Sequence, residues 1–397
     1  MSIQPEFDVI VVGGGPSGAT AAHDLATAGH KVMLLDKAGR IKPCGGAVPP
    51  RLLKDFDIPQ SLLVAHARSA RIIAPSNKKV VMPVGDGFVG MVDRDIFDEW
   101  LRNRAAESGA TRVTGKCEAV DDSDEIVTLS YRADRHAELQ IVTARAVIGA
   151  DGARSNVAAQ CLKNASRVPC VFAYHEVVEV PDEIDADYEP TRCDVYYQGH
   201  LSPDFYAWIF PHGKQASIGL GSADKGFPLR ETTQAMREQT GLAGWKTIRK
   251  EGAPIPLKPL KRWDNGRNVV VAGDAAGVVA PSSGEGIYYA MTAGRMSAQA
   301  VSKFLVTRDA RALRLARKSF MKAHGRVFWI LGMMQFFWYR NDWTRERFVK
   351  MCEDPDVQRL TWEAYMNKQL VRRDPMAHVR IFFKDLGHLF GLRAVER

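Results

Sequence analysis

The first stretch whose residue types and spacing could do chemistry is Gly13-x-Gly15-x-x-Gly18. In such a pattern the first glycine permits a tight turn, the second lets backbone approach a pyrophosphate, and the third lets a helix pack on a strand. Amide N–H groups at the start of that helix can hold phosphate oxygens. Asp36 follows at roughly the twenty-residue distance at which an acidic side chain ending a second strand meets a ribose hydroxyl. A glycine turn without a ligand is the plain alternative. Strand, helix and acid together favour a dinucleotide, without choosing between FAD and NAD. Gly149-Ala150-Asp151-Gly152 and Gly273-Asp274 each end an apolar run as well, and taken singly each reads as a turn.

The elements needed to position these residues are legible. Phe7–Val12 reads as a buried strand, 17–28 as an Ala-rich helix stopped by Gly29, and 31–35 as a second strand, which makes a βαβ opening. Asp93 could cap a helix running to about Ser108, with Ile96, Phe97, Trp100, Leu101 and Ala105 at helical spacing. Strand patterns follow around 111–120, 125–131, 138–148, 168–180, 192–197, 206–210 and 216–221. Another strand at 268–272 leads through a glycine-rich loop into a helix over 285–305, and the chain beyond Thr307 reads as mostly helical.

With 397 residues, 46% of them hydrophobic, the chain has room for two or three domains, and the composition excludes disordered, collagenous and disulfide-stapled classes. Six scattered cysteines without ligand spacing argue against disulfides and against a metal site, and suit a reducing compartment. No secretory leader is expected. The apolar run 327–338 covers roughly 18 Å as a helix, too short for a hydrocarbon core of ~30 Å. The net charge of +8 sits in one place: residues 308–350 hold eleven Lys/Arg against three Asp/Glu. Arg308, Arg311, Arg314, Lys318 and Lys322 are spaced to share one helical face, and nine aromatics from Phe320 to Phe348 follow or interleave. That mixture suits an anionic membrane interface. A solvated face with packed aromatics is the plain alternative, and no nucleic-acid reader motif accompanies the charge. No histidine pair has metal spacing, His175 and His212 read as surface or hydrogen-bonded core residues, and no GxSxG elbow occurs.

The three glycine-acid loops, in this order, resemble the FAD domain of the p-hydroxybenzoate hydroxylase-like flavoproteins. A sharper resemblance is to the geranylgeranyl reductases of the chlorophyll and bacteriochlorophyll type. It is carried by Lys42-Pro43-Cys44-Gly45-Gly46-Ala47, the run 53–59, and Ser202-Pro-Asp-Phe-Tyr206-Ala-Trp208-Ile-Phe210-Pro211 followed by Gly219-x-Gly221. Gly284-Glu-Gly286-Ile-Tyr-Tyr and 337–352 look like the same branch. Alternation puts Tyr206, Trp208 and Phe210 on one side of a strand. By itself that reads as a sandwich core. With the resemblance it reads as a wall for an isoprenoid chain.

The resemblance implies an α/β fold, with a Rossmann-like FAD-binding domain of glutathione reductase type 2 interleaved with an antiparallel-sheet substrate domain and a C-terminal helical region. The expected boundaries are 1–65, 86–160 and 266–305 for FAD, 66–85 and 161–265 for the prenyl substrate, and 306–397 for the helices. FAD is expected to meet Gly13, Gly15, Gly18, Asp36, Lys37, Cys44, Gly45, Gly46, Arg94, Asp151, Gly273, Asp274, Gly284, Gly286 and Ile287. In the resemblance Asp274 serves the ribityl chain and the 281–286 loop underlies the flavin ring. Tyr206, Trp208, Phe210, Pro211, Gly219 and Gly221 are the expected substrate contacts, and Cys44 the candidate catalytic residue. The implied activity is saturation of geranylgeranyl to phytyl on a (bacterio)chlorophyll ester or on the free diphosphate. NADPH is the implied reductant, with reduced ferredoxin as an alternative, and contact with chlorophyll synthase or ferredoxin at the cytoplasmic side of a photosynthetic membrane is the implied setting. A flavin monooxygenase and a non-catalytic prenyl carrier are the rivals.

Overall fold

A computed structural model describes residues 4–37, 41–163, 165 and 168–368. The described residues divide into two compact units, those within 1–42, 94–170 and 254–326, and those within 43–93, 171–253 and 327–368.

In the first unit Val9, Ile10, Val11 and Val12 are all buried, as a strand covered on both faces requires. This strand, Phe7–Val12, pairs in parallel with Val32–Asp36 and with Gln140–Gly149. Thr111–Thr114 extends the parallel part beyond Val32–Asp36, and Val269–Val271 joins the far half of Gln140–Gly149. Two antiparallel strands, Val127–Arg132 and Lys116–Asp121, complete seven. Helix Pro16–Thr27 follows the first strand, and helix Ile287–Thr307 crosses it so closely that a Cβ on Gly294 would lie 2.1 Å from the Ser17 carbonyl oxygen.

The second unit is built on another seven-stranded sheet. Its order is Thr247–Pro256, Cys170–Glu179, Gln215–Ser222, Ala207–His212, Arg192–Tyr196, Ser69–Ile73 and Lys79–Pro83. The sheet is not wholly antiparallel, since Arg192–Tyr196 and Ser69–Ile73 run in parallel. A small antiparallel sheet of Ala47–Val48, Val89–Val92 and Leu63–Ala67 lies in the same unit.

Three local expectations change. Helix Arg94–Glu107 buries Phe97, Leu101 and Ala105, but Ile96 is 55% exposed and lies off the buried stripe. The basic residues do not share one helical face. Arg308 ends helix Ile287–Thr307 in the left-handed region at φ 57°, Arg311 and Arg314 lie in the 3-10 turn Ala310–Arg314, and only Lys318 and Lys322 belong to helix Leu315–Trp338. Of the nine aromatics, Phe320, Phe328, Trp338 and Tyr339 are core, while Trp329, Phe336, Phe337 and Trp343 are exposed.

Two helical glycines should respond to alanine with opposite signs. Gly294→Ala forces a Cβ against backbone and should destabilise by about 1–3 kcal/mol. At Gly332 an added Cβ meets no atom within 4 Å, so Gly332→Ala should stabilise its helix by about 0.5–1 kcal/mol. Denaturant unfolding of both variants checks this, and a Gly294→Ala variant as stable as the wild type would contradict the close crossing.

Candidate functional site

In the first unit the glycine turn separates packing from access. Gly13 has φ 105° and a Cβ there would lie 2.3 Å from the Ala150 oxygen, while one on Gly18 would strike the Gly13 oxygen at 1.8 Å. These two glycines are required by the protein itself. Gly15 is different: an added Cβ would find no atom within 4 Å. Gly15 is also the N-cap of helix Pro16–Thr27 and offers no side-chain cap, so the first-turn N–H groups keep their affinity for an anion. The Ser17 hydroxyl in that turn is buried and has no hydrogen-bond partner within the described protein. An open backbone, an uncapped helix start and an orphaned buried hydroxyl together fit a phosphate-bearing ligand.

Asp36 ends its strand as expected, and Arg102 reaches it at 3.3 Å and the Gly14 carbonyl at 3.3 Å. Arg102 is a residue that sequence reasoning missed. The signal for it is the spacing Arg94, Asp98, Arg102 on one helix, which places all three on one face. Arg94 is buried and donates to both Asp98 oxygens at 2.8 and 2.7 Å. Lys37 is exposed. Asp274 is buried and ion-paired with Lys42, a second partner the motif reading did not assign. Gly273 packs against Ser17, which joins the third glycine loop to the first.

Asp151 has a local duty. It accepts hydrogen bonds from the Ser155 hydroxyl, from Asn156 N at 2.6 Å and from Val157 N at 3.2 Å, at the start of helix Asn156–Cys161. Burial raises its pKa, and these hydrogen bonds oppose the rise. Gly286 caps helix Ile287–Thr307 without a side-chain bond of its own, and Glu285 supplies the acceptor for Tyr288 N at 2.9 Å. Ile287 is buried, and Gly284 takes φ 65°.

In the second unit Tyr206, Trp208 and Phe210 form a continuous ladder. Ring centroids are 6.0 Å apart from Tyr206 to Trp208 and 6.2 Å from Trp208 to Phe210. Strand pairing sets Trp208 opposite Gly219, and a Cβ there would lie 2.5 Å from the indole ring. The indole can lie flat on the neighbouring strand only because that position is glycine. Gly221 does the same for Phe205, at 2.9 Å. The indole N–H donates to Ser217 Oγ at 3.1 Å, Ser217 meets His175 Nδ1 at 2.8 Å, and His175 Nε2 meets Glu251 at 3.0 Å.

Tyr206 and Trp208 are more than nine-tenths buried, because Phe205 stacks on Tyr206 at 4.2 Å and Tyr197 packs beside it. Burial pushes the Tyr206 phenol well above its ordinary pKa, which keeps it neutral. The accessible end of the ladder is therefore at the half-buried Phe210. There a Cβ on Gly45 would lie 3.0 Å from the Phe210 ring, so the Cys44-Gly45-Gly46 loop lies directly on the ladder. Cys44 is half-buried and its sulfur accepts from Gly46 N at 3.4 Å. Pro211 and His212 are buried next along the strand. His212 and His175 are both hydrogen-bonded core residues. Among the described residues no cluster of His, Cys, Asp or Glu could hold a metal ion.

Comparison with known proteins supplies relatives over the whole chain. Residues 8–194 and 222–384 match the family model described as lycopene cyclase protein. A geranylgeranyl diphosphate reductase of Rhodobacter capsulatus is 54% identical over 387 residues, which cover 98% of each chain. Among solved structures, a geranylgeranyl bacteriochlorophyll reductase-like protein of Thermoplasma acidophilum superposes with a TM-score of 0.80 at 23% identity, covering 94% of this chain and 99% of that one. A flavin-dependent brominase superposes at 0.73 with 15% identity, covering 96% and 100%.

Gly219→Val should displace the Trp208 indole and break its bond to Ser217. The expected result is a changed near-ultraviolet circular dichroism signal with about 1–3 kcal/mol of lost stability. An unaltered spectrum would show that the ring does not depend on the glycine.

Proposed function

The chain belongs to the geranylgeranyl reductase family, and from that premise we propose that it is an FAD-dependent oxidoreductase that saturates C=C bonds of a geranylgeranyl group to phytyl. The substrate is geranylgeranyl-(bacterio)chlorophyll or geranylgeranyl diphosphate, and NADPH is the reductant. The observation that carries this reading is the Cys44-Gly45-Gly46 loop lying on the Phe210 end of the aromatic ladder, in a chain 54% identical to the R. capsulatus reductase throughout. The flavin-dependent brominase and the reductase-like protein share the fold, which supports a flavin.

When bound and reduced, FAD would supply the hydride for such a saturation. The residues present fit that cofactor at its phosphates: Gly13, Gly15 and Gly18 make the turn, the open backbone at Gly15 admits the pyrophosphate, and the Ser17 hydroxyl gains a partner. Asp36, set by Arg102, with Lys37 beside it, would hold the adenosine ribose. Asp274, set by Lys42, would hold the ribityl hydroxyls, and Gly273, Gly284, Gly286 and Ile287 are the residues that would hold the flavin end. Arg94 and Asp151 support the same site while serving Asp98 and helix Asn156–Cys161.

An unactivated alkene offers no carbonyl to polarise, so the protein must align it, exclude water and place a proton source. We assign alignment to the ladder of Tyr206, Trp208 and Phe210, with Gly219 seating the Trp208 ring, Gly221 seating Phe205 against Tyr206, and Pro211 next along the strand. Cys44, half-buried at the accessible end, is assigned the proton-bearing position, and Gly45 and Gly46 let its loop approach. Anaerobic incubation with NADPH and either substrate, followed by mass spectrometry, tests the reading. The expected product gains two hydrogens per step without oxygen, and Cys44→Ala slows at least one step. A requirement for O₂ with an oxygenated product would establish the monooxygenase reading instead, and turnover only with reduced ferredoxin would replace the donor.

The basic and aromatic segment 308–350 is proposed as the membrane-facing part, by which the enzyme meets a prenylated substrate at the cytoplasmic side of a photosynthetic membrane. Among the described residues no helix is long and apolar enough to cross a bilayer. Trp329, Met333, Phe336 and Phe337 are exposed and spaced i, i+4, i+7 and i+8 on one helix face. Flotation with anionic vesicles should be salt-sensitive and weaken several-fold when Arg311, Arg314 and Lys318 are neutralised. Unchanged binding would return these charges to an ordinary solvated surface.

A further inference from the structure

His212 closes the strand that carries the ladder, is 7% exposed, and touches two acceptors. Its Nδ1 lies 3.0 Å from Asp93 Oδ1, and its Nε2 lies 3.1 Å from the carbonyl oxygen of Gly45. A neutral imidazole carries one N–H and can donate to only one acceptor. Both contacts are hydrogen bonds only when the His212–Asp93 pair holds an additional proton, on the ring or shared with the carboxyl. Asp93 is 20% exposed at its side chain, which gives that proton a path to solvent.

The Gly45 carbonyl belongs to the loop that lies on Phe210. Gly46 follows at φ 71°, with its Cβ position 2.5 Å from the His212 ring, and its carbonyl accepts from Val92 N at 2.9 Å. The loop is thus clamped from two sides, by the small sheet through Val92 and by the imidazole through Gly45. We propose that His212 and Asp93 form a proton-dependent clamp on the Cys44-Gly45-Gly46 loop, His212 acting as a positioning residue. With the extra proton the ring bonds both partners. Once it is lost, the remaining N–H stays with the Asp93 carboxylate, a charge-assisted bond stronger than one to a neutral carbonyl, and Gly45 is released.

The surroundings leave this role to the pair. On the elements packed against this end of the strand the other titratable groups are Cys44 in the loop, His66 on Leu63–Ala67, Lys214 in the following turn, and Arg192, Cys193, Asp194 and Tyr196 on Arg192–Tyr196, while Tyr365 of helix Pro355–Asn367 packs on the same core cluster as Phe210. Arg94 and Asp95 follow Asp93 in the chain. Asp194 is bound by Arg71 and Arg192, Arg94 is bound by Asp98, and His66 lies edge-on to Phe88. Among the described residues none of these groups is hydrogen-bonded to the His212 ring.

The consequence for turnover rests on the function proposed above, whereas the clamp is tested without it. Hydrogen exchange of a peptide covering 43–48, read by mass spectrometry and corrected for intrinsic exchange, should show protection about tenfold lower in alkaline than in acidic buffer, the loss of one hydrogen bond. In Asp93→Asn the amide can donate to Nδ1 of a neutral ring, leaving Nε2–H for Gly45, so protection should stay flat. His212→Phe should show the lower, alkaline level of protection at every pH, and if it does not fold, the Asn variant decides alone. A pH-independent wild type, or an Asn variant that follows the wild-type curve, overturns the clamp. If protection behaves as expected while the pH profile of turnover is the same in wild type and Asp93→Asn, the clamp stands and the assignment of this loop to the reaction fails.

Discussion

The second unit depends on one close approach: the Trp208 indole lies on a neighbouring strand where a Cβ would come within 2.5 Å of it. A β-sheet normally presents side chains at every second position on a face, and a large ring must stand among them. Removing the side chain at Gly219 lets the ring lie down, and the Ser217 hydroxyl fixes it by its N–H. Ordering of the rest follows. Tyr206 and Phe210, two residues away on either side, extend the ladder, and the glycines of the Cys44 loop settle on its open end. Small residues here act by letting aromatic surface come close to backbone.

The same physics is used for the opposite purpose in the first unit. Gly13 and Gly18 are glycines because backbone already occupies the space of their Cβ atoms. Gly15 is glycine although its space is free, which leaves room for something outside the protein. The distinction between a glycine demanded by packing and one that only a ligand would demand cannot be read from a GxGxxG pattern. It becomes visible once the position of a Cβ can be tested.

Elements with a strong, uniform pattern were legible: Phe7–Val12 from its unbroken apolar run, helix Pro16–Thr27 from its alanines, and the β-rich middle from alternation. The short strands Leu63–Ala67 and Val89–Val92 were not. Their stabilisation comes from pairing with each other across some twenty-five residues of chain rather than from local pattern. The basic stripe failed for a local reason, since Arg308 takes a left-handed conformation and ends its helix, so spacing no longer means a shared face. Arg102 with Asp36, Lys42 with Asp274 and His212 with Gly45 are contacts between residues distant in sequence. Helical spacing could point to Arg102 but not to its partner, and nothing local pairs Lys42 or His212, whereas the side shared by Tyr206, Trp208 and Phe210, on and just before one strand, was readable from alternation alone.

We propose that the prenyl chain is aligned by this ladder, entering where Phe210 meets the Cys44 loop. A crystal structure with geranylgeranyl diphosphate bound tests it directly. Isoprenoid density is expected in contact with Phe210 and the Cys44 loop and directed along the Trp208 side of the strand. Density bound elsewhere, with the Phe210 ring and the Gly45 loop untouched, would contradict it.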